Sequence, residues 1–477
     1  MTTGTTLYGK LYRSTLFPTY EALRGRHTLR HLAELERSQW LPRDEIRDRQ
    51  WSAFKRLLAH AWEQTPFYRR RFEEMGITPD DIACWDDLAR VPFLSKKDLQ
   101  EHQAEMIARS YQDKPLITSH SGGSTGQPVE FKFHREHYDR RVAAWMRADR
   151  WGGWELGEPQ VMMWLGVGSG VGKRKLTEKW KERMHWAAQR WQVLTITKLS
   201  KETVPAYCDA MRRFKPRSLY GLAGGVHAFA LLAEELGVQP PPMHGIILGA
   251  EKVFPHQKEK IGQVFRTPVF ERYGCQEVCN IGEECSAHEG MHINADGLIV
   301  EVVDEQGRPA APGAVGEVVI TSLDNFAMPF IRYRMGDLGI LAEKPCSCGR
   351  GLPMIREILG RTLDMIATPE GVFCSGVMIP HFMKEFSCIR EFQFVQESVD
   401  HLRVRLVPGA GWDERQRAYM EEQLRRYVGP TIRIEFEVSE KLERAKSGKY
   451  RMVISKVPVS FGAPATQTQR ASQKAEG

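Results

Sequence analysis

Hydrophobic residues near the start of the chain recur every three or four positions. In "WSAFKRLLAHAWEQTPFYRRRF", for example, Trp51, Phe54, Leu58 and Trp62 share one face of a helix. Spacing of this kind is typical of an amphipathic helix packed against a core. We therefore predict that residues 1–110 form the helical N-terminal region of a large domain.

Between residues 115 and 340 the pattern changes to short β-like runs that alternate with helical ones. The predicted strands are "PRSLYGL", "HGIILGAE", "TPVFERYG", "GLIVEVVD" and "GEVVITSL", and the predicted helices are "VPAYCDAMRRF" and "VHAFALLAEELG". Such alternation indicates an α/β domain with a mixed sheet, whose ligands bind at loops beyond the strand ends. We assign residues 111–360 to this core.

The pattern changes again after "ILGRTLDMI". Residues 390–455 contain two alternating runs, an amphipathic helix and a further alternating run, which predicts a small α+β domain over 361–456. Residues 457–477 are small, polar and Pro-bearing, and we predict that they are disordered. The predicted fold class is a large mixed α/β domain followed by a small C-terminal α+β domain.

Composition fits a cytoplasmic globular protein. The chain has 477 residues, of which 42% are hydrophobic and 27% charged. Its net charge of +7 suits an anionic substrate without requiring a nucleic acid. No apolar run reaches the ~18 residues of a membrane span, and the N-terminus lacks the apolar stretch of a secretory signal. Nine unevenly spread cysteines argue against a disulfide framework.

The stretch "SHSGGSTGQPVEF" predicts a loop that binds an anion. It supplies hydroxyls and flexible backbone at Ser121, Gly122, Gly123, Ser124, Thr125 and Gly126. Several backbone N–H groups can then turn toward one phosphate. A Walker loop is excluded because Gly126 is followed by Gln127 and Pro128 instead of a lysine. The alternative is a plain surface loop, but the following "PVEFKF" fixes it to a strand.

Three further residues supply what such a loop lacks. Glu277, in "ERYGCQE", follows a predicted strand and can hold Mg²⁺ against phosphates. Asp337, in "IRYRMGDLG", can accept hydrogen bonds from ribose hydroxyls, and Lys449, in "ERAKSGKYRMV", can bring positive charge to a reacting phosphate. Considered one at a time, Glu277 could equally be a charge at a helix N-terminus, Asp337 a turn former and Lys449 a solvated surface lysine.

Two stretches, "EECSAHEGMHIN" and "PCSCGR", combine thiols with imidazole. Four nitrogen and sulfur ligands in two pairs are what a structural zinc ion requires. The predicted ligands are Cys285, His292, Cys346 and Cys348. His288 is the alternative histidine, Cys279 is a further candidate, and buried thiols beside a surface histidine are the non-metal interpretation.

The order of these motifs resembles the adenylate-forming acyl-CoA ligase superfamily. A Ser/Gly/Thr loop is followed by Tyr-Gly-x-x-Glu, Tyr-Arg-x-Gly-Asp, Gly-Arg-x-x-Asp and Ser-Gly-Lys. The phenylacetate–CoA ligase branch, with its CapK-like members, is the most similar. The stretches that look like this branch are "TPFYRRRF", "VPFLSKKDL", "KPRSLYG" and "CSCGRGLPMIREILGR". The resemblance covers roughly residues 50 to 455.

The resemblance implies an AMP-forming acid–thiol ligase that uses ATP, Mg²⁺ and a small carboxylic acid, of aryl or short acyl type. The acid is converted to an acyl-adenylate with release of pyrophosphate and is then passed to a thiol such as coenzyme A while the small domain rotates. A carrier protein, an amine or a sugar could replace coenzyme A as the acceptor. A catalytically silent acyl- or nucleotide-binding relative is the rival hypothesis, and a homodimer is a further expectation.

The resemblance also implies roles for individual residues. The loop Ser121–Gly126 corresponds to the phosphate-binding loop, and Lys449 to the adenylation lysine. The other nucleotide- and acyl-site positions are Gly249, Ala250, Glu251, Tyr273, Gly274, Glu277, Asp337 and Arg361.

Three positions depart from the family pattern. Gln276 precedes Glu277 where Thr or Ser is usual, and Val129 follows Pro128 where many members have Lys. Leu363 replaces the first aspartate of the hinge, while Asp364 is retained. The hinge departure bears on the pivot and therefore on the thioester half-reaction.

Overall fold

The computed structural model describes most of the chain. The described residues are 5–121, 129–164, 184–196, 199–311, 313–361, 365–367, 369, 373–375, 383, 386, 388–409, 411–442 and 453–457.

The N-terminal region is helical, as the periodicity predicts. Its helices are α1 (Leu7–Leu11), α2 (Phe17–Arg24), α3 (Thr28–Ser38), α4 (Arg43–Gln64), α5 (Pro66–Glu74), α6 (Lys96–Glu101), α7 (Gln103–Met106) and α8 (Arg135–Trp151). A π-helical turn, Tyr12–Leu16, joins α1 to α2. The predicted face of α4 is confirmed, because Phe54 and Leu58 are fully buried and Trp51 and Trp62 pack against the same core.

A large mixed sheet forms the body of the molecule. A hairpin of β1 (Ile117–His120) and β2 (Glu130–Phe133) precedes it. Its strands are β3 (Gln160–Trp164), β4 (Trp191–Thr195), β5 (Ser218–Leu222), β6 (Gly245–Gly249), β7 (Val269–Cys275), β8 (Cys279–Glu284), β9 (Met291–Ile293), β10 (Leu298–Val303), β11 (Gly316–Ser322), β12 (Phe330–Leu341) and β13 (Met354–Arg361).

The sheet has two halves that meet at β7. The order of its eleven strands is β10-β11-β12-β13-β9-β8-β7-β6-β5-β3-β4. The strands from β4 to β7 pair in parallel, and those from β7 to β10 pair antiparallel. Helices α9 (Thr203–Phe214), α10 (Ala223–Glu235) and α11 (Pro255–Phe265) share a core with the parallel half. Tyr273, Gly274 and Glu277 therefore lie where the strand pairing changes direction.

The C-terminal part is a separate α+β unit. Strands β16 (Ile389–Ser398), β17 (His401–Pro408), β18 (Arg433–Val438) and β19 (Val453–Ser455) form a sheet in the order β18-β17-β16-β19, with helix α12 (Glu414–Val428) between β17 and β18. Its core is drawn entirely from residues after 365.

The predicted fold class is thus confirmed. The small hairpin of β14 (Met365–Ala367) and β15 (Phe373–Ser375), together with β19, was not foreseen because these strands have only three residues each. The boundary near residue 361 stays a prediction. Residues 458–477, predicted to be disordered, lie outside the described residues.

Among the described helices, none combines the length and the apolar character needed to cross a bilayer.

Candidate active site

The predicted phosphate loop is closed at its base by a pair of hydrogen bonds. The Ser121 N–H donates to the Val129 carbonyl, and the Val129 N–H donates to Ser121 Oγ, both at 2.8 Å. Strands β1 and β2 pair up to His120 and Glu130, so the loop is the tip of this hairpin. Gly122, Gly123, Ser124, Thr125 and Gly126 lie outside the described residues. The hydroxyl of Ser121 thus serves the loop's base.

The segment after β6 is held against helix α10. The Glu251 carboxylate accepts a 2.8 Å hydrogen bond from the N–H of Gly224, near the start of that helix. Gly249 ends β6, and Ala250 adopts a left-handed backbone with φ of 63°. A left-handed alanine is uncommon and marks a sharp change of chain direction. This turn lies at the carboxyl end of a parallel strand, where ligands bind in such folds.

Strand β7 carries Tyr273 and Gly274 into a tight reversal. A side chain at Gly274 would come within 2.4 Å of the Cys279 carbonyl, so only glycine fits there. The Tyr273 hydroxyl donates to Asp337 Oδ2 at 2.7 Å. Tyr273 and Asp337, which the resemblance assigns to the nucleotide and acyl site, are therefore in direct contact although they are 64 residues apart.

This contact requires a curved sheet. Tyr273 lies on β7 and Asp337 on β12, and β8, β9 and β13 separate these strands in the sheet order. Four strand spacings would hold the two strands about 19 Å apart in a flat sheet, too far for the two side chains to span. The antiparallel half therefore curls toward β7 and encloses the site, as bulges in β12 allow.

Glu277 lies in the β7–β8 turn and approaches a buried tyrosine. Its Oε1 accepts a 3.4 Å hydrogen bond from the hydroxyl of Tyr333, on β12. Burial raises the pKa of Tyr333, and the Glu277 carboxylate raises it further. Burial likewise raises the pKa of Cys275 well above its ordinary value, so this residue is a neutral thiol in the pocket and not a nucleophile.

Arg141 joins two parts of the site and was missed by sequence reasoning. From helix α8 its Nη2 donates to the Gln276 carbonyl at 2.7 Å, and its guanidinium lies 4.6 Å from the ring centroid of Phe133, on β2. It therefore links the turn that carries Glu277 to the hairpin that carries the phosphate loop. No motif indicated it, whereas Tyr333 at least lies within "IRYRMGD".

A buried arginine fixes β7 from behind the site. Arg272 pairs with Asp149 of α8 and Glu283 of β8, and all three side chains are almost fully buried. Two carboxylates around the guanidinium raise the pKa of Arg272 despite its burial. Removing Arg272 would leave two buried carboxyl groups without a counter-charge, so the guanidinium holds β7, and with it Tyr273, in place.

Of the two predicted site residues near the small domain, the structure describes the backbone of Arg361 but not Lys449. The backbone of Arg361, at the end of β13, pairs in register with Asp337, the residue that the resemblance assigns to the ribose hydroxyls. Lys449, Leu363 and Asp364 lie outside the described residues.

The four predicted metal ligands come together at the end of β8. Cys285 Sγ lies 3.7 Å from Cys346 Sγ, and Cys348 Sγ lies 3.3 Å from His292 Nε2. All four ligand atoms lie within 4.8 Å of one another. Sulfur ligands about 2.3 Å from a tetrahedral zinc ion would be about 3.8 Å apart, which fits these separations.

The protonation states at this cluster also fit a metal site. Burial, with the nearby Arg350, lowers the pKa of His292 to about 4, so its imidazole is neutral, as a ligand must be. Burial raises the pKa of Cys346 to about 12, so a bound cation is what would favour the thiolate. The alternative His288 is not in the cluster, because its Nδ1 lies 3.4 Å from Glu284 Oε2. Cys279 lies instead in the β7–β8 turn, where its backbone is in register with that of Cys275 and both thiols are free.

Comparison with known proteins gives a consistent result. Residues 366–456 match the family model of the CapK C-terminal domain. The phenylacetate–coenzyme A ligase of Thermus thermophilus is 29% identical over 339 residues, which cover 68% of this chain and 72% of that protein. The phenylacetate–coenzyme A ligase of Pseudomonas putida is 26% identical over 426 residues, which cover 84% of this chain and 92% of that protein.

Solved structures show the same fold. A 2-hydroxyisobutyryl-CoA ligase in the postadenylation state, in complex with 2-HIB-AMP, has a TM-score of 0.66 at 21% identity and covers 92% of this chain and 94% of its own. A second structure of that ligase, an open conformation with 2-HIB-AMP and CoA, has a TM-score of 0.62. The family resemblance predicted from the sequence is confirmed.

Proposed function

We propose that this chain, a homologue of the phenylacetate–CoA ligases with a CapK C-terminal domain, activates a small carboxylic acid with ATP and transfers the acyl group to a thiol. The acid first attacks the α-phosphate of ATP, which forms an acyl-adenylate and releases pyrophosphate. A thiolate then attacks the acyl carbon and AMP leaves. The observation that carries the proposal is the Tyr273–Asp337 contact, which joins two family motifs in one site.

The residues at this site suit the two halves of the nucleotide. Asp337 can accept hydrogen bonds from the ribose hydroxyls while Tyr273 holds its carboxylate in place. The hairpin closed by Ser121 presents the phosphate loop, and Lys449 would meet the carboxylate and the α-phosphate. Two anions must approach each other in this reaction, so preorganised positive charge lowers the barrier.

Glu277 is the proposed Mg²⁺ ligand. A single carboxylate together with substrate phosphates is how proteins usually bind this ion. The Tyr333 hydroxyl, 3.4 Å from Glu277 Oε1, helps to position the carboxylate and keeps it on the pocket side of the turn. Bound Mg²⁺ would neutralise charge on the phosphates.

For the cysteine cluster we propose a structural zinc ion held by Cys285, His292, Cys346 and Cys348. Four protein ligands close the coordination sphere, which is typical of structural sites and not of catalytic ones. The ion would tie the end of β8 and β9 to the loop before β13. Trp151 packs edge-on against His292, with ring centroids 5.4 Å apart, and its indole N–H donates to Gln39 Oε1 at 3.0 Å. The proposed metal site is therefore connected to the N-terminal helices through Trp151.

Coenzyme A is the proposed acceptor, with a carrier protein, an amine or a sugar as the alternatives. The adenylate is a general acyl donor, so the first half-reaction leaves the acceptor open. The hinge position, where Leu363 replaces the usual aspartate, bears by resemblance on the pivot and therefore on the thioester half-reaction. Adenylation and thioester formation should therefore be assayed separately.

Exchange of labelled pyrophosphate into ATP, with a panel of aryl and short-chain acids, tests the first half-reaction. We expect acid-dependent exchange with at least one of them. If ATP binds but no acid supports exchange, the rival hypothesis of a silent nucleotide-binding relative is favoured.

Lys449→Ala tests the assigned role of the lysine. We expect pyrophosphate exchange to fall by about a hundredfold or more, with ATP binding retained, because the lysine acts on the transition state. Lys456→Ala is the matched control, since Lys456 lies a few residues further on and pairs with Glu397 in the small domain. Equal exchange by the Lys449→Ala protein and the wild type would contradict the assignment.

A further inference from the structure

The first helices of the chain carry an apolar surface that faces solvent. Five large apolar side chains are exposed there: Leu7 by 85%, Leu11 by 49%, Leu16 by 43%, Tyr20 by 39% and Leu23 by 81%. They make up five of the twelve exposed large hydrophobic residues in the described part of the chain. We call this set the N-terminal ridge.

The π-helical turn between α1 and α2 aligns the ridge. Leu7 and Leu11 are four residues apart, as are Leu16 and Tyr20, so each pair shares a helix face. Leu11 and Leu16 are five residues apart, which would rotate them off a common face in an α-helix. The intervening π turn has i→i+5 hydrogen bonding and brings them back into line.

The ridge is separate from the face that the same helices use for packing. Gly9, Tyr12, Phe17 and Glu21 are buried on the opposite side. Tyr12 and Phe17 share a core with residues of α3 and α8. The helices are thus apolar on two faces, and the described residues of the chain cover only one of them.

Polar contacts hold the segment rigidly on the body. The Thr6 N–H donates to Glu158 Oε1 at 2.9 Å, and Arg13 Nη1 donates to the Leu156 carbonyl at 2.7 Å. A side chain at Gly9 would collide with the Glu158 carboxylate. The ridge is therefore a preformed surface whose binding does not require a segment to fold.

The charges around the ridge are positive. Residues 1–33 contain five lysines and arginines but one acid, Glu21. That acid is buried and accepts hydrogen bonds from the N–H groups of Thr28 and Leu29, at 2.7 and 3.0 Å. Three of the five cations pair with acids from later in the chain, Arg13 with Glu158, Arg26 with Asp139 and Arg30 with Glu34. Lys10 and Arg24, by contrast, are exposed on the same helices as the ridge.

We propose that the N-terminal ridge docks the protein peripherally on an anionic lipid surface. Exposed leucines and a tyrosine beside exposed cations, here Lys10 and Arg24, are the features of a helix that lies in a membrane interface. A second copy of the chain is a less suitable partner for the ridge, because its charges would not complement those of the first copy. A two-fold contact would set this acid-poor surface against itself, so that the cations of one copy would meet those of the other.

Co-sedimentation of the full chain with lipid vesicles tests the proposal. We expect binding to vesicles of equal parts phosphatidylcholine and phosphatidylglycerol, weaker binding to phosphatidylcholine alone, and loss of the difference at high salt. The double variant Leu7→Ser/Leu23→Ser should bind the anionic vesicles about tenfold more weakly, because it removes the two most exposed apolar side chains. Lys10→Gln/Arg24→Gln should abolish the preference for anionic lipid.

Matched controls separate the ridge from general surface effects. Leu231→Ser/Val438→Ser removes two exposed apolar side chains elsewhere, and Arg415→Gln removes an exposed cation of the small domain. Both should bind as the wild type does, and all variants should keep wild-type circular dichroism.

Two results would overturn the proposal. The first is that anionic vesicles do not bind the wild type, or bind the Leu7/Leu23 variant equally well. The second is that light scattering shows a dimer which this variant dissociates. A second copy would then cover the ridge, which would agree with the homodimer expected from the sequence. Neither result bears on pyrophosphate exchange, so the proposed enzymatic function is tested independently.

Discussion

Single side chains at this site act by holding other groups in place. Tyr273 orients Asp337, Tyr333 orients Glu277, and Arg141 supports the turn between them through the Gln276 carbonyl. A carbonyl bond of this kind does not depend on the side chain at position 276. This offers a physical reason why Gln can replace the usual Thr or Ser there.

Arg141→Ala should lower the rate of pyrophosphate exchange by about tenfold or more, with little loss of folding stability. The reason is that the Glu277 turn and the phosphate-loop hairpin lose their shared contact, and small displacements of such groups are costly for the rate. Steady-state exchange and thermal melting would measure the two effects.

The adjacent Arg140→Ala is the control, because Arg140 pairs with the exposed Glu136 at 3.3 Å and makes no hydrogen bond to the Gln276 turn among the described residues. A tenfold loss in both variants, or in neither, would mean that the Gln276 contact has no special role.

Secondary-structure elements here depend on buried charges and on the cysteine cluster. Strand β7 is fixed by the Arg272 triad, and its neighbour Glu271 lies close to a second carboxylate, because the Glu271 N–H donates to Glu284 Oε2 at 2.8 Å. Burial, followed by repulsion from Glu284, raises the pKa of Glu271 from 4.5 to about 7. Stability of this part of the sheet should therefore depend on pH.

Glu271→Gln should make the protein more stable at pH 8 and flatten its pH dependence. A raised folded-state pKa means that the folded protein binds the proton more tightly than the unfolded chain does. Stability from this group is then complete below pH 4.5 and is lost as the pH rises toward 7. The full effect is up to ~3 kcal/mol. Denaturant unfolding at pH 5 and pH 8 measures it.

The exposed Glu305→Gln is the control for this experiment. If the wild type were as stable at pH 8 as at pH 5, the shift assigned to Glu271 would be wrong.

Cys346→Ser should abolish zinc binding and lower the melting temperature by roughly 5–10 °C, since the strand ends around β9 and β13 lose their common anchor. Elemental analysis and thermal melting would measure the two effects. Cys84→Ser, at an exposed cysteine outside the cluster, should change neither. Full zinc occupancy in the Cys346→Ser protein would exclude the proposed ligand set.

The molecule as a whole divides its chemistry between two units. The described residues of the proposed nucleotide site lie on the large body, whereas Lys449 belongs to the sequence of the C-terminal unit, which has its own core. A reaction that needs both units can be gated by their relative movement. We therefore expect the large body alone to bind ATP, whereas catalysis should require both units.

A fragment ending at residue 364 should bind ATP with nearly wild-type affinity and show no pyrophosphate exchange. It keeps Tyr273, Asp337 and Glu277 but lacks Lys449, the proposed adenylation lysine. Calorimetric titration and the exchange assay measure the two properties, and full-length Lys449→Ala should reproduce the same pattern. Substantial exchange by the fragment would show that the small domain is dispensable for adenylation.

The sequence by itself determined the local structure and the identity of the chemical groups. The periodicity of α4 specifies a helix because burial on one face fixes the side-chain period. The short apolar runs of β5, β6 and β11 specify strands that are buried on both faces, as central strands of a covered sheet are. The grouping of Cys285, His292, Cys346 and Cys348 could also be predicted, since thiols and imidazole in two close pairs are typical of a metal site. Three-residue strands such as β19 escaped because they are too short to show a period.

Only the tertiary structure decided which of these groups meet. Tyr273 reaches Asp337 because the antiparallel half of the sheet curls, and curvature arises from bulges and packing that no local pattern encodes. Arg141 contacts a backbone carbonyl 135 residues away, and a backbone partner leaves no trace in the sequence. The choice of His292 over His288 likewise came from the pairing of β9 with β8 and β13, which carries one histidine into the cluster and leaves the other beside Glu284.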